Sequence, residues 1–232
     1  MKAAKTGKKP DVTAALHEAI IGGKFMPNER LLEVELAARF KSNRLQIRTA
    51  LSKLESEGLV VSEPNRGARV RAITAEEAIE ITEARAVMET LVATKAAERA
   101  TNDDIVRLQN VIESMRGAIA GGDLLGYSEL NGALHTEIRR IACHATANRI
   151  LGLLNSQVVR FQFRAILIPG RATKSFAEHE MIVDAIRAHD TERARSSMAN
   201  HLFQVVDALR QAIASPSAQR GLTDSNIAFA ER

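Results

Sequence analysis

Apolar residues recur at helical spacing along most of the chain, and the one stretch where that period fails divides it in two. Val12, Ala15, Leu16, Ala19 and Ile20 fall at i, i+3, i+4, i+7 and i+8 behind Asp11, a residue suited to cap a helix. Gly22–Gly23 ends that stretch and FMPNER reads as a turn. A short second helix follows, with Leu32, Leu36, Ala37 and Phe40 inward. KSN is the next break, and Asn43 is the expected N-cap of a third helix running to about Glu57. Its buried face is Ile47, Ala50, Leu51 and Leu54, and Gly58 stops it. Over LVVSEPNRGARVRAI the period shortens to two β-type runs about PNRG, whose Pro, Asn and Gly suit a hairpin turn. Three short helices and a hairpin predict a winged helix-turn-helix over residues 11–73, behind a flexible basic tail at 1–10.

From Thr74 the helical period returns. Thr74-x-x-Glu77 has the form of a capping box, opening a long helix over about 75–100 with Ile79, Thr82, Ala86, Leu91 and Ala93 among its inward positions. Further helices are predicted at 103–120, 123–143, 146–168, 175–188 and 191–214. Gly121–Gly122, Pro169–Gly170 and Asp190 punctuate them, and Ser175-x-x-Glu178 reads as a second capping box. The fold class is therefore mainly α: a winged helix-turn-helix, then an all-α domain of about six helices over 74–214, then a loose tail at 215–232.

Composition narrows this further. Aromatics make up 3% of the chain, with no Trp and one Tyr, so the cores are built from Leu, Ile, Val and Ala, which favours packed helices. The single cysteine, Cys143, excludes an intrachain disulfide framework and fits a reducing compartment. No secretory pattern opens the chain, and no apolar run approaches the ~18 residues of a membrane span. A cytoplasmic protein without membrane contact is expected. Charge is unevenly spread: residues 1–73 carry a balance of +6 and residues 74–232 a balance of −2. A basic module facing nucleic acid, joined to a near-neutral one with another task, fits that asymmetry.

On the third helix Gln46, Arg48, Thr49 and Lys53 lie off the apolar face, with Arg44 in the first turn. In a helix-turn-helix this end enters the major groove, where Arg reads guanine and other cations hold phosphate. Arg66 and Arg69 on the hairpin could grip phosphates or a minor groove. The bland alternative is ordinary surface cations. PNERLLEVELAARF…IRTALSKLESEGLVVSEPNRGARV resembles the DNA-binding domain of GntR-type winged-helix regulators, through Leu31, Leu32, Leu36, Ala37, Arg44, Ile47, Arg48, Ala50, Leu51, Leu54, Glu57, Gly58, Leu59, Val60 and Gly67. Asn43 stands where that family usually has Ser or Thr, Lys41 replaces its Gly, and Leu45–Gln46 replace its Thr-Pro. The resemblance implies operator contacts from Arg44 and Arg48, and the helix face and hairpin add Asn43, Gln46, Thr49, Lys53, Arg66 and Gly67 as further candidates.

The chain has six histidines: His17, His135, His144, His179, His189 and His201. Asn131 and His135 share a helix face one turn apart, and His179 and His201 lie on two other helices with apolar flanks. Buried separately, three imidazoles are costly polar groups; around one divalent cation they are satisfied together. Spacing alone leaves both readings open. His144 and His189 fall at helix ends and read as surface residues.

Residues 74–212 resemble the FCD effector domain of the FadR subfamily of GntR regulators, through Arg85 and Glu89, then Asn131 and His135, then His179, Ile182, Ala185, Ile186, Asp190, Ala194, His201 and Leu202. That resemblance implies an antiparallel helical bundle holding a divalent metal and a small carboxylate. It implies Asn131, His135, His179 and His201 as ligands, with Asn where Asp is commoner. Zinc is the first candidate, with nickel and manganese next. Arg85 is the expected partner of the effector carboxylate and Arg164 a second; a salt bridge from Arg85 to Glu89 or Glu83 is the alternative. The expectation is a homodimeric, effector-responsive repressor binding a double-stranded operator. Two alternatives stand beside it: a three-His metalloenzyme, with Glu137, Glu178 and Glu180 the only acid–base candidates near the histidines, and a metal-stabilised DNA-binding protein without effector.

Overall fold

The computed structural model describes residues 11–63 and 67–214. The tails expected at 1–10 and 215–232 lie outside the described residues, as does Arg66. The chain divides into two compact units, the first ending at Ala72 and the second beginning at Ile73.

In the first unit, α1 (Val12–Ile21), α2 (Glu33–Arg39) and α3 (Arg44–Ser56) pack around Leu16, Ile20, Phe25, Leu36, Ile47, Ala50, Leu51 and Leu54. Asn43 closes a reciprocal cap on α3: its Oδ1 accepts from the Gln46 backbone at 2.9 Å, and Gln46 Oε1 accepts from the Asn43 backbone at 3.4 Å. Gly58 takes φ +74°, the left-handed conformation that ends the helix. The hairpin is β2 (Val60–Glu63) and β3 (Gly67–Val70). A third strand, which the sequence pattern did not predict, is β1 (Arg30–Leu31), antiparallel to β3 with Leu31 opposite Ala68. It corrects one core assignment. Strand alternation turns Leu31 inward, so Leu32, read as buried, is exposed at the head of α2.

The second unit is a bundle of α4 (Ala75–Arg99), α5 (Asn102–Ala120), α6 (Leu124–Ala142), α7 (Ala145–Ile166), α8 (Arg171–Arg187) and α9 (Thr191–Ala214). Helix α4 is central, packing against α6, α7, α8 and α9. Thr74 caps it by accepting from the Glu77 backbone at 3.1 Å. Its inward stripe runs Ala78, Ile81, Thr82, Arg85, Glu89, Val92, Ala93, Ala96. Thr82 and Ala93 lie where the sequence put them, Ile79 and Ala86 are half-buried, and Leu91 turns out to solvent at 37% exposure. Two charged side chains occupy the stripe that the apolar pattern assigned to Leu91's face. Helix α8 starts four residues earlier than predicted. Gly170, at φ +75°, begins it directly after Pro169, so Ser175 is buried one turn inside the helix and is not a cap.

Candidate functional site

The bundle brings His135 from α6, His179 from α8 and His201 from α9 together, with their ligand atoms all within 4.8 Å of one another. All three are buried. Ring centroids lie 4.4 Å apart for His179–His201, and 5.4 and 5.5 Å for His135 with His179 and His201. Each ring is oriented through Nδ1. His135 Nδ1 lies 2.6 Å from Glu89 Oε2, and His201 Nδ1 lies 2.7 Å from Glu178 Oε2. A carboxylate can only accept, so both imidazoles donate from Nδ1, and His201, held neutral by burial, keeps its lone pair on Nε2. Tyr127 Oη sits 3.3 Å from His179 Nδ1, and with that oxygen as acceptor the same tautomer holds at His179.

Two arginines complete parallel chains behind these histidines. Arg85 donates to Glu89 Oε1 at 2.8 Å, and Arg171 donates twice to Glu178, at 3.0 and 2.9 Å. The results are Arg85–Glu89–His135 and Arg171–Glu178–His201, built from different helices. Burial alone would raise the Glu89 carboxyl, but the His135 and Arg85 charges outweigh it and hold the group below the ordinary carboxylate range. At Glu178 burial wins over Arg171 and raises the carboxyl above its ordinary value. Burial first, then the neighbouring imidazoles, pushes His179 and His201 well below the usual histidine range, so both are neutral, the form that binds metal. The Tyr127 hydroxyl is pushed up to about 12 by burial and stays protonated.

The residues present fit a divalent ion. Asn131 Oδ1 and His179 Nε2 are buried without a hydrogen-bond partner. Such atoms are costly unless something accepts their lone pairs. Bonds of ~2.1 Å in a tetrahedral set place donors about 3.4 Å apart, so the triad would draw in by up to about 1.4 Å to seat one ion. Glutamates behind coordinating imidazoles are the usual means of fixing their tautomer. Beside the triad, Arg85, Asn131, His135, Gln162, Arg171 and Ser175 line a cavity of about 420 Å³, counting its open mouth, closed on one side by His201 and Leu202.

Arg164, expected here, is an outward-facing residue of α7 with its guanidinium 5.8 Å from the Phe161 ring. Helical rotation instead turns Gln162, Ala165 and Ile166 to the cavity. Arg171 supplies the second guanidinium. It was missed because Pro169–Gly170 and the supposed Ser175 cap placed it in a loop; the spacing 171, 175, 178, 179 would have put it on the histidine's face. His144 caps α7 by accepting from the Ala147 backbone at 3.2 Å, and His189 Nδ1 lies 2.9 Å from the Ala97 carbonyl oxygen. Glu137 is held by Arg107 and Arg140, and Glu180 by Arg116, which leaves neither acting at the triad.

In the first unit Arg44, Gln46, Arg48, Thr49 and Lys53 are exposed on α3, and Gly67, exposed, begins β3 at φ +83°. Gln46 is engaged in the cap described above. Thr49 Oγ1 donates to the Leu45 carbonyl of its own helix at 3.0 Å. Arg48 is gripped by Glu33 of α2 through two 3.0 Å hydrogen bonds, and Arg69 by Glu63 at 2.7 Å. Leu45, in the first turn, is 73% exposed. Among the described residues no helix is long and apolar enough to cross a membrane.

Comparison with known proteins assigns both units. The model of the FCD domain matches residues 80–204, and that of bacterial regulatory proteins of the gntR family matches residues 8–70. The HTH-type transcriptional repressor GlaR of Escherichia coli (strain K12) is 27% identical over 86% of this chain and 94% of its own length. The HTH-type transcriptional regulator LutR of Bacillus subtilis (strain 168) is 26% identical over 82% of this chain and 95% of its own. The solved structure of E. coli McbR/YncC shares the fold at a TM-score of 0.73 and 21% identity, covering 87% of this chain and 96% of that one.

Proposed function

Because the chain belongs to the GntR family of bacterial transcription regulators and carries an FCD domain, we propose that it is a repressor whose helical domain binds a small organic acid with the help of a divalent metal. Regulators, not enzymes, make up this family and its matched relatives. The repressor sign is supported by GlaR, which is described as one. The observation that carries the sensing half is the convergence of three buried, neutral-donor histidines and the unpartnered Asn131 oxygen beside a cavity lined by two guanidiniums.

His135, His179, His201 and Asn131 would hold the metal, which when bound supplies a Lewis-acidic position for a carboxylate. Zinc is the first choice for an imidazole-rich set, with nickel and manganese as alternatives. Arg85 and Arg171 offer the guanidinium donors for such an anion. On α3, Arg44, Arg48 and Lys53, with Asn43, Gln46, Thr49 and the hairpin's Gly67, form the operator-reading surface. A homodimer would set two such helices on a pseudo-palindromic site in the cytoplasm. The acid releases DNA only by preferring one arrangement of the protein over another.

A thermal-shift screen of small organic acids, run with and without chelator, tests this reading. Chelation is expected to lower the melting temperature, and a matching acid to raise it only while metal is present. An acid response indifferent to chelator would remove the metal from the sensing site; no response to any acid or to chelator would remove the sensor.

A further inference from the structure

Arg85 and Arg171 arrive from different helices and line one cavity, each more than nine-tenths buried. Each is neutralised by its own glutamate, Arg85 by Glu89 and Arg171 by Glu178. Yet each keeps an Nε–H without any acceptor. A buried donor left unpaired is unfavourable, and because both residues line one cavity, an anion there would meet two guanidiniums that their glutamates do not fully satisfy.

The charge count is equally specific. The four candidate donors, Asn131, His135, His179 and His201, are all neutral, so none cancels the charge of an ion held among them. A carboxylate at position 131 would leave such a site at +1; Asn131 leaves it at +2. Arg139, half-buried and near enough to feel the charges of both Glu89 and Arg85, adds positive charge on the same side. A monocarboxylate would leave a buried positive charge uncompensated, which a low-dielectric interior penalises.

Resting on the metal-and-acid reading above, we infer that the cavity selects a dianion, a short-chain dicarboxylate, over a monocarboxylate of equal length. Asn131 is then a specificity-determining residue: its neutral oxygen sets the charge the ligand must bring.

Titration calorimetry on the full-length, zinc-loaded protein separates the cases, using malonate against propionate and succinate against butyrate. Each diacid is expected to bind at least about tenfold tighter than its matched monoacid. Asn131→Asp, nearly the same size, is expected to cut that advantage by about tenfold while holding zinc more tightly against a competing chelator. Monoacids binding as tightly as diacids, or a diacid advantage untouched in the Asn131→Asp protein, overturns the inference and leaves the metal-and-acid reading standing. If neither series binds the zinc-loaded protein, that reading itself falls, and the dianion with it.

Discussion

The two units place their chemistry on opposite sides of the hydrophobic boundary. In the winged-helix unit the interior is apolar throughout, and the groups suited to DNA stand outside it, on the exposed face of α3. In the bundle the chemistry is inside. Arg85, Glu89, His135, Arg171, Glu178, His179 and His201 are buried, in positions that Leu or Val would otherwise fill. The first arrangement separates stability from function. The second makes them one problem, because each buried charge is tolerable only while its partner is present.

Paired substitutions break that contrast most directly. Glu89→Ala leaves the Arg85 guanidinium buried and unpaired and frees the His135 ring. It is expected to cost about 3–5 kcal/mol of stability, read by denaturant titration. Arg48→Ala, on the outside, is expected to lower operator affinity by about tenfold or more in a mobility-shift assay, with the melting temperature unchanged. A stable Glu89→Ala protein, or an Arg48→Ala protein that unfolds, would erase the distinction. His179→Ala tests the interior from the side of the ion: bound metal per chain, measured by elemental analysis, should fall to near zero.

Acid sharpens the comparison further. His179 and His201 are held neutral by burial, with folded-state values below the ordinary ~6.5. Below about pH 6.5 the unfolded chain takes up protons that the folded chain refuses. Stability of the metal-free protein should therefore fall as pH drops through that region, approaching about 1.4 kcal/mol per pH unit for each histidine. Melting curves from pH 7.5 to 5.5 read this directly, and a flat profile would mean that these imidazoles are not neutral in the fold.

The same boundary explains what was legible in the sequence. Where apolar residues form the core, their period located α1, α3, the hairpin and most of the bundle to within a few residues. It failed where polar groups took core positions. Leu91 was assigned inward on α4 because the stripe carrying Arg85 and Glu89 does not look apolar, and the start of α8 was missed because Ser175 mimics a cap. The histidines were visible as a set only through family resemblance. Spacing along one helix shows which residues share a face, but only packing shows that α6, α8 and α9 turn those faces to one point. The Arg–Glu–His chains needed the structure for the same reason, since two of their links cross between helices.

The smallest effect belongs to the outer surface. Leu45 stands in the first turn of α3, 73% exposed. Burial cannot be its role in the free protein. With α3 docked as proposed, this end in a major groove, an aliphatic side chain would meet the one apolar feature a base edge offers there, the thymine methyl. Leu45→Ser should leave melting temperature and metal content unchanged. Overall DNA affinity should fall only severalfold, since the phosphate contacts that supply most of it remain. The change to look for lies in selection experiments on randomised operators, where preference for thymine at one position of each half-site should weaken. An unaltered operator consensus in the Leu45→Ser protein would leave Arg44 and Arg48 as the residues of this turn that read bases, and would return Leu45 to the surface as a side chain with no recognised task.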